Sequence, residues 1–455
     1  MNNTEPQLLG GSQPPFIDLF CRVVDNYGDI GVCWRLARNL SSRLIDFADG
    51  KSQENFAWNS IISNLFNPTF HMPYPVRLWV NDLQSFQRIA PAIDTSKDIQ
   101  VLQNIQIIHW KDANIYANLN LKPATVVIEA FGTELDQIYI DAMNSSTRCW
   151  FNLEYLSAEN WVEGFHGQRS PQSNGVPKYF FFPGFTDKTG GLIRDNQVLM
   201  RLHSLSAQDK IDWLKQHIST EVAQAFADNA RLINVFCYPS APFESLLTVF
   251  AEIIKYDHRA TTFLLPEGVL PQAEELYEAV VEDKAMIKLQ RFPFIPQEDF
   301  DILLSICEFN VVRGEDSFVR AIWSGKPFIW HIYEQDEQVH LHKLKAWLAQ
   351  SKVPELWAEI HTAWNYFATW NNPKRQEEDA TNAEFQRTQA QQALENYFKH
   401  LFLGKQNPEF VISSSYLPLA SEQDWEVVQK FSQDYADMLC KNPTLSFSIL
   451  NFQTK

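Results

Sequence analysis

Between residues 16 and 44 the chain reads FIDLFCRVVDNYGDIGVCWRLARNLSSRL, an apolar run, a loop with two acids and two glycines, and an amphipathic stretch. That order admits few folds. The β-branched and aromatic run Phe16–Val24 suits a strand, and Cys33, Leu36, Ala37, Leu40 and Leu44 recur on one helical face. Gly28 and Gly31 permit tight turning and close backbone approach to a ligand. In an open α/β sheet such a loop lies at the carboxyl edge of its strand, where ligands bind. The simplest reading of Asp25 and Asp29 is that one ends the strand and the other caps the helix. The loop has neither the G-x-G-x-x-G spacing of a dinucleotide site nor the Gly-Lys-Ser/Thr of a P-loop. Its two carboxylates point to base chemistry more than to phosphate binding.

The alternation continues. Strands are expected at Val76–Val80, Ile105–Trp110, Thr125–Glu129 and Thr147–Leu153, separated by helical stretches, which implies parallel pairing with crossover helices. Glu129 ends a strand and Glu154 follows one; each is read first as a helix cap or structural hydrogen-bond partner and only second as a cleft residue. The segment 46–75 reads as an insertion or irregular connection, and Phe180–Leu192 as a Pro/Gly-punctuated loop that forms a linker or a cleft-lining segment before the second half. A second alternation begins near residue 207, with strands at Arg231–Tyr238, Thr261–Leu265, Ile287–Leu289, Phe309–Val312 and Phe328–Trp330. The expected architecture is therefore two doubly wound α/β domains, 16–206 and 207–405, facing each other across a cleft. Residues 351–408 read as helical additions, and the amphipathic helix at 421–440 is expected to pack back on the first domain.

A length of 455 residues with 45% apolar side chains can bury two cores. The formal charge of −17 disfavours nucleic acid and anionic membranes and favours a cationic acceptor. No apolar stretch is long enough to cross a bilayer, and the polar start is not a signal peptide. Six scattered cysteines without a C-x-x-C pair read as buried thiols in a reducing cytosol.

The strongest chemical signal of the second half is Arg291–Leu344. There the strand FNVV runs into RGEDS and a short helix, so free backbone N–H groups and the helix dipole favour a diphosphate. Arg313 adds charge and Ser317 a hydroxyl, while Glu315 and Asp316 are poor phosphate partners but good acceptors for sugar hydroxyls. A nucleotide carrying a sugar explains that mixture. Phe292, Phe294 and Gln297 supply rings and an amide for a base, unless the rings are simply core. His331, His340 and His342 lack the spacing of a metal site.

These two stretches together resemble the EarP family, protein-arginine rhamnosyltransferases of elongation factor P. The resemblance covers both domains. It implies a GT-B-like fold, a metal-free inverting transfer from the donor substrate dTDP-β-L-rhamnose, no further cofactor, a cytoplasmic location, and elongation factor P as partner. The family's essential first-loop aspartates fall on Asp25 and Asp29, and its essential glutamate on Glu315. Asp316 and Ser317 occupy neighbouring donor-contact positions, Phe294 and Gln297 resemble the positions around the thymidine, and Tyr238 and Arg313 complete the donor set. Asp29 is the leading base and Asp25 positions the acceptor or supports the loop, with the two roles exchangeable. The competing readings are another GT-B transferase or sugar-nucleotide epimerase, and a non-catalytic sugar-nucleotide sensor.

Overall fold

The computed structural model describes residues 15–25, 27–52, 54, 56–59, 62, 74–111, 115–119, 121–143, 147–403 and 424–453. Half of the segment expected as an insertion, and all of 404–423, lie outside the described residues. The chain divides into two compact units, Met1–Asp195 with Cys440–Lys455, and Asn196–Leu439.

In the first unit the strands are β1 (Ile17–Cys21), β2 (Val76–Val80), β3 (Ile99–Leu102), β4 (Ile105–His109), β5 (Val126–Ala130), β6 (Cys149–Leu153), β7 (Arg169–Ser170) and β8 (Lys178–Phe181). They lie in the order β3-β4-β2-β1-β5-β6-β8-β7. Only the edge pairings of β3 with β4 and β7 with β8 are antiparallel. The central strands β1, β2 and β5 are buried at every residue, as expected where helices cover both faces. Phe20 of β1 stacks on Trp79 of β2, with ring centroids 5.1 Å apart, and both belong to an aromatic core with Trp110, Tyr116, Tyr139 and Trp150.

One charge lies inside that core. Asp18 of β1 is fully buried and directly opposite Arg77 of β2. Its carboxylate accepts from Arg77 Nε at 2.5 Å and Nη2 at 2.7 Å, from Trp79 Nε1 at 2.9 Å, from the Ala124 N–H at 2.9 Å and from the Tyr139 hydroxyl at 2.6 Å. Every lone pair of the buried anion is thus engaged, the condition under which a buried pair is tolerated.

The second unit holds β9 (Arg231–Val235), β10 (Thr261–Pro266), β11 (Ile287–Phe292), β12 (Phe309–Arg313) and β13 (Phe328–His331). Their order is β11-β10-β9-β12-β13, and every pairing is parallel. Within each sheet the parallel strands run outward from the first strand, then reverse on its other side. The reversal falls between β1 and β5 in one sheet and between β9 and β12 in the other. Such a switch point leaves a crevice at the carboxyl ends of the strands.

Three expectations are corrected. The second unit starts at Asn196 instead of 207, because the Asn196–Ser204 helix packs on the Gln297–Ile306 helix and Leu202 joins the core there. Phe180–Leu192 is no linker: Phe181 ends β8, and the following loop stays in the first unit, where the Phe185 carbonyl accepts from Asn442 Nδ2 at 2.9 Å. The helix expected to return from 421–440 packs in the second unit instead. Its described part, Asp424–Leu439, lies against the helices Asp316–Ser324 and Ala380–Leu403. Tyr435 decides this, because its hydroxyl accepts from Trp347 Nε1 at 3.1 Å and from Ser351 Oγ at 2.7 Å. The segment that does return is the next helix, Leu445–Asn451, which packs on the Gly28–Ala48 helix. Arg43 ties it down by donating to Ser446 Oγ and Thr444 Oγ1, each at 3.0 Å.

Candidate active site

At the first switch point, β1 ends at Cys21 and the chain turns through Asp25 into the Gly28–Ala48 helix. The helix forms because Ile30, Cys33, Trp34, Ala37, Leu40 and Leu44 make a buried stripe at helical spacing. Its cap residue, Tyr27, makes no side-chain capping bond, its hydroxyl accepting from Arg88. Asp29 in the first turn reaches back instead. Its Oδ2 accepts from the Val24 N–H at 2.8 Å and the Asp25 N–H at 2.9 Å, so the carboxylate fixes the loop ahead of its own helix. Only 3% of Asp29 is exposed. Burial raises its pKa above the ordinary aspartate value, and the two N–H bonds offset part of that rise. The result is a buried carboxylate with raised proton affinity, as a general base requires.

Asp25 is half-buried and its carbonyl accepts from the Gly28 N–H. The Gly31 N–H donates to Tyr27 at 2.9 Å, so both glycines close the turn through their backbones. Gly28 also has no room for a side chain: a Cβ there would stand 2.6 Å from Asp25 Oδ2. Gly28→Ala is therefore expected to push the Asp25 carboxylate aside and lower turnover by about 10²-fold, the effect of a 1 Å misplacement. Thermal unfolding should be unchanged; full activity would show that the Asp25 position is immaterial.

At the second switch point, the loop after β12 carries Arg313, Gly314 and Glu315 into the helix Asp316–Ser324. Gly314 takes a left-handed φ of 60° that permits the turn, and its carbonyl accepts from Trp330 Nε1 at 2.7 Å. Glu315 occupies the cap position, yet its side chain makes no capping bond. The Ser317 hydroxyl closes the turn, accepting from the Arg313 N–H at 3.0 Å and donating to the Arg313 carbonyl. Arg313 Nη1 bridges to the Cys237 carbonyl at 3.1 Å, joining the loops after β12 and β9. Its guanidinium lies 4.5 Å from the Phe236 ring centroid and 4.9 Å from that of Tyr238. Phe294 meets Phe236 edge to face, with ring centroids 6.1 Å apart.

Tyr238, Phe294, Gln297, Arg313, Glu315, Asp316 and Ser317 thus gather at one carboxyl edge of the second sheet. Phe292 does not join them, because it lies in the core with Trp213 and Leu264. Asp316 is held on both sides, accepting from Gln297 Nε2 and Arg320 Nε at 3.0 Å each. Phe236, Phe300 and Tyr333 were not singled out in the sequence. Phe300 lies 5.6 Å from Phe236, and Tyr333 the same distance from Tyr238. Their only sequence signal was a position just past a strand or one helical turn past Gln297. A cavity of about 660 Å³ opens beside Tyr238, lined further by His331, Tyr333, Asn365 and Thr369.

The remaining candidates take structural places. Glu129 pairs with Lys178, which also lies 4.1 Å over the Trp150 ring, and Glu154 accepts from Asn152. Burial, with the Arg313 cation adding to it, depresses His331 to about 3, so it is neutral. His340 bonds to the Gln335 N–H and to Thr369, while His342 is exposed. Among the described residues no cluster of three His, Cys, Asp or Glu side chains is placed to hold a metal, and no helix is long and apolar enough to cross a membrane. The six cysteines are free and five are buried.

Comparison with known proteins identifies the family. The family model described as elongation-factor P (EF-P) rhamnosyltransferase EarP matches residues 17–46 and 69–407. The protein-arginine rhamnosyltransferase of Pseudomonas putida is 40% identical over 343 residues, 73% of this chain and 80% of that protein. Its namesake in Shewanella oneidensis is 35% identical over 371 residues, 76% and 85% of the two chains. A solved structure from work on EarP-mediated arginine glycosylation of EF-P aligns with a TM-score of 0.48 at 24% identity, covering 95% of this chain and 96% of that one. Both switch-point loops fall inside the matched residues, and the chain belongs to the EarP family of elongation-factor P rhamnosyltransferases.

Proposed function

We propose that the protein transfers L-rhamnose from dTDP-β-L-rhamnose to an arginine side chain of elongation factor P, in the cytoplasm, with inversion and without a metal or further cofactor. Family membership carries the transfer itself. The division of chemistry between the two switch points supports its detail: one buried and one half-buried acid at one, a cation, rings and a helix N-terminus at the other.

A guanidinium is protonated at neutral pH and its lone pairs are delocalised, so it is a poor nucleophile until oriented and relieved of a proton. In the proposed step one guanidinium nitrogen attacks the anomeric carbon from the face opposite the diphosphate. The nitrogen–carbon bond forms as the carbon–oxygen bond breaks, the electron pair leaves with dTDP, and the nitrogen's proton passes to a loop carboxylate. Asp29 is the base by virtue of its raised proton affinity. Asp25 orients the acceptor. Arg313 and the N-terminus of the Asp316–Ser324 helix stabilise the departing diphosphate. Glu315 takes hydroxyls of the sugar, and Phe294, Gln297 and Tyr238 line the nucleoside.

Incubation with elongation factor P and dTDP-rhamnose, read by intact mass and site mapping, is expected to show one deoxyhexose on an arginine. An unmodified factor together with a converted sugar nucleotide would favour an epimerase. Glu315→Gln is expected to weaken transfer about ten- to a hundredfold, as for a lost charge-assisted hydrogen bond. Unchanged kinetics and an unchanged dTDP-rhamnose titration would reject its role.

A further inference from the structure

Arg320 carries no role in the reaction described so far, yet it is the most enclosed cation of the second unit's donor region. It lies one turn beyond Asp316 on the same helix and is 1% exposed. Its Nε donates to Asp316 Oδ2 at 3.0 Å, and its Nη1 donates to the Gln297 carbonyl at 2.6 Å and reaches Asp301 Oδ2 at 2.7 Å. Gln297 in turn donates its side-chain amide to the same Asp316 oxygen at 3.0 Å. One guanidinium therefore fastens the first residues of two helices, Gln297–Ile306 and Asp316–Ser324, which follow β11 and β12.

The placement matters more than the pairing. An ion pair serving stability alone would fit anywhere along two packed helices, but this one sits at their N-terminal ends, beside the loops that carry Phe294 and Glu315. It also fixes a direction. Because the Gln297 amide nitrogen faces Asp316, which faces Arg320, the orientation of that amide is set from behind. Only a planar fork supplies the three contacts at once; an ammonium keeps the charge and loses the geometry.

We propose that Arg320 is a positioning residue of the donor site, which sets the Gln297 amide and the Asp316 carboxylate for a thymidine diphosphate sugar. This rests on the reading that Phe294, Gln297 and Asp316 line the donor. Arg320→Lys is expected to raise the donor KM about tenfold while kcat stays within about twofold, the split produced by loss of binding common to ground and transition states. Titration with dTDP alone should weaken in parallel. Asp301→Asn removes the other counter-ion but leaves Arg320, Asp316 and Gln297 joined, so it should lower the melting temperature with the donor KM within about twofold of the parent's.

If Arg320→Lys and Asp301→Asn lower the melting temperature alike and neither moves the donor KM, the ion pair is structural only and the proposal is overturned. Should Arg320→Lys not fold, the double variant Arg320→Met with Asp301→Leu removes the cation with one of its partners and is read the same way. Phe294→Ala separates the two levels. A raised donor KM in Phe294→Ala with none in the Arg320 variants overturns the positioning role alone. An unchanged donor KM in Phe294→Ala overturns the placement of the donor, and the positioning role with it.

Discussion

Asp29→Asn is expected to lower kcat by about 10²–10⁴-fold, the usual contribution of a positioned base, while the protein stays folded and no less stable at neutral pH. The stability half of this expectation is unusual for a buried acid and follows from the direction of its pKa shift. Burial raises the folded-state pKa of Asp29 above the unfolded value. Its contribution to stability is then present below the unfolded pKa and is lost as pH rises through the folded one. At neutral pH the ionised, desolvated carboxylate weakens the fold. Asparagine keeps an oxygen for the Val24 and Asp25 N–H groups without that charge. The pH profile supplies a second check. Transfer should fall on the acid side at a pH above the ordinary aspartate range, because protonated Asp29 cannot accept the arginine proton. Turnover near the parent's by Asp29→Asn excludes it as the base, and loss in Asp25→Asn with the acid limb unmoved would exchange the two roles.

The largest stability effect is expected at Asp18. Arg77 is 2% exposed and takes its charge balance from Asp18. Burial alone pulls the Arg77 pKa down, and Asp18 more than reverses this, so the guanidinium remains charged. Asp18→Asn removes the countercharge of that cation and leaves one acceptor oxygen where two served Arg77, Trp79, Ala124 and Tyr139, and should cost about 3–5 kcal/mol in urea unfolding. Replacing both partners with apolar residues, Asp18→Leu with Arg77→Met, should recover most of the loss, since a buried pair is worth little against well-packed hydrophobes. A cost for Asp18→Asn below about 1 kcal/mol would mean that water reaches Arg77 in the folded state.

The contrast between these two acids shows what the sequence made legible. Asp29 sits in a loop between a strand and a helix whose periodicities change abruptly, so its position was readable from spacing. Asp18 sits inside an apolar strand, and a lone acid there has meaning only once Arg77 is seen opposite it in register. The Arg313–Ser317 turn was readable for the same reason as the Asp29 loop. Its internal wiring was not, because Asp316 finds Gln297 nineteen residues back and the Ser317 hydroxyl is spent on the turn itself. Periodicity likewise fixed the helix over Asp424–Leu439 without saying which surface would receive it. That depended on Trp347 and Ser351 offering partners to Tyr435. The short antiparallel strands β3 and β7 carry too few residues for alternation to register.

The return of Cys440–Lys455 to the first unit sets an order of assembly. During synthesis the second unit has all its residues before the first does, because the Leu445–Asn451 helix and Phe452, which packs against Phe151, Tyr179 and Phe181, follow the second unit in the chain. The half that carries Asp25 and Asp29 therefore reaches its finished form only after the whole of the second unit has been made. A chain interrupted before Leu445 would hold a complete second unit and an unfinished acid-bearing one.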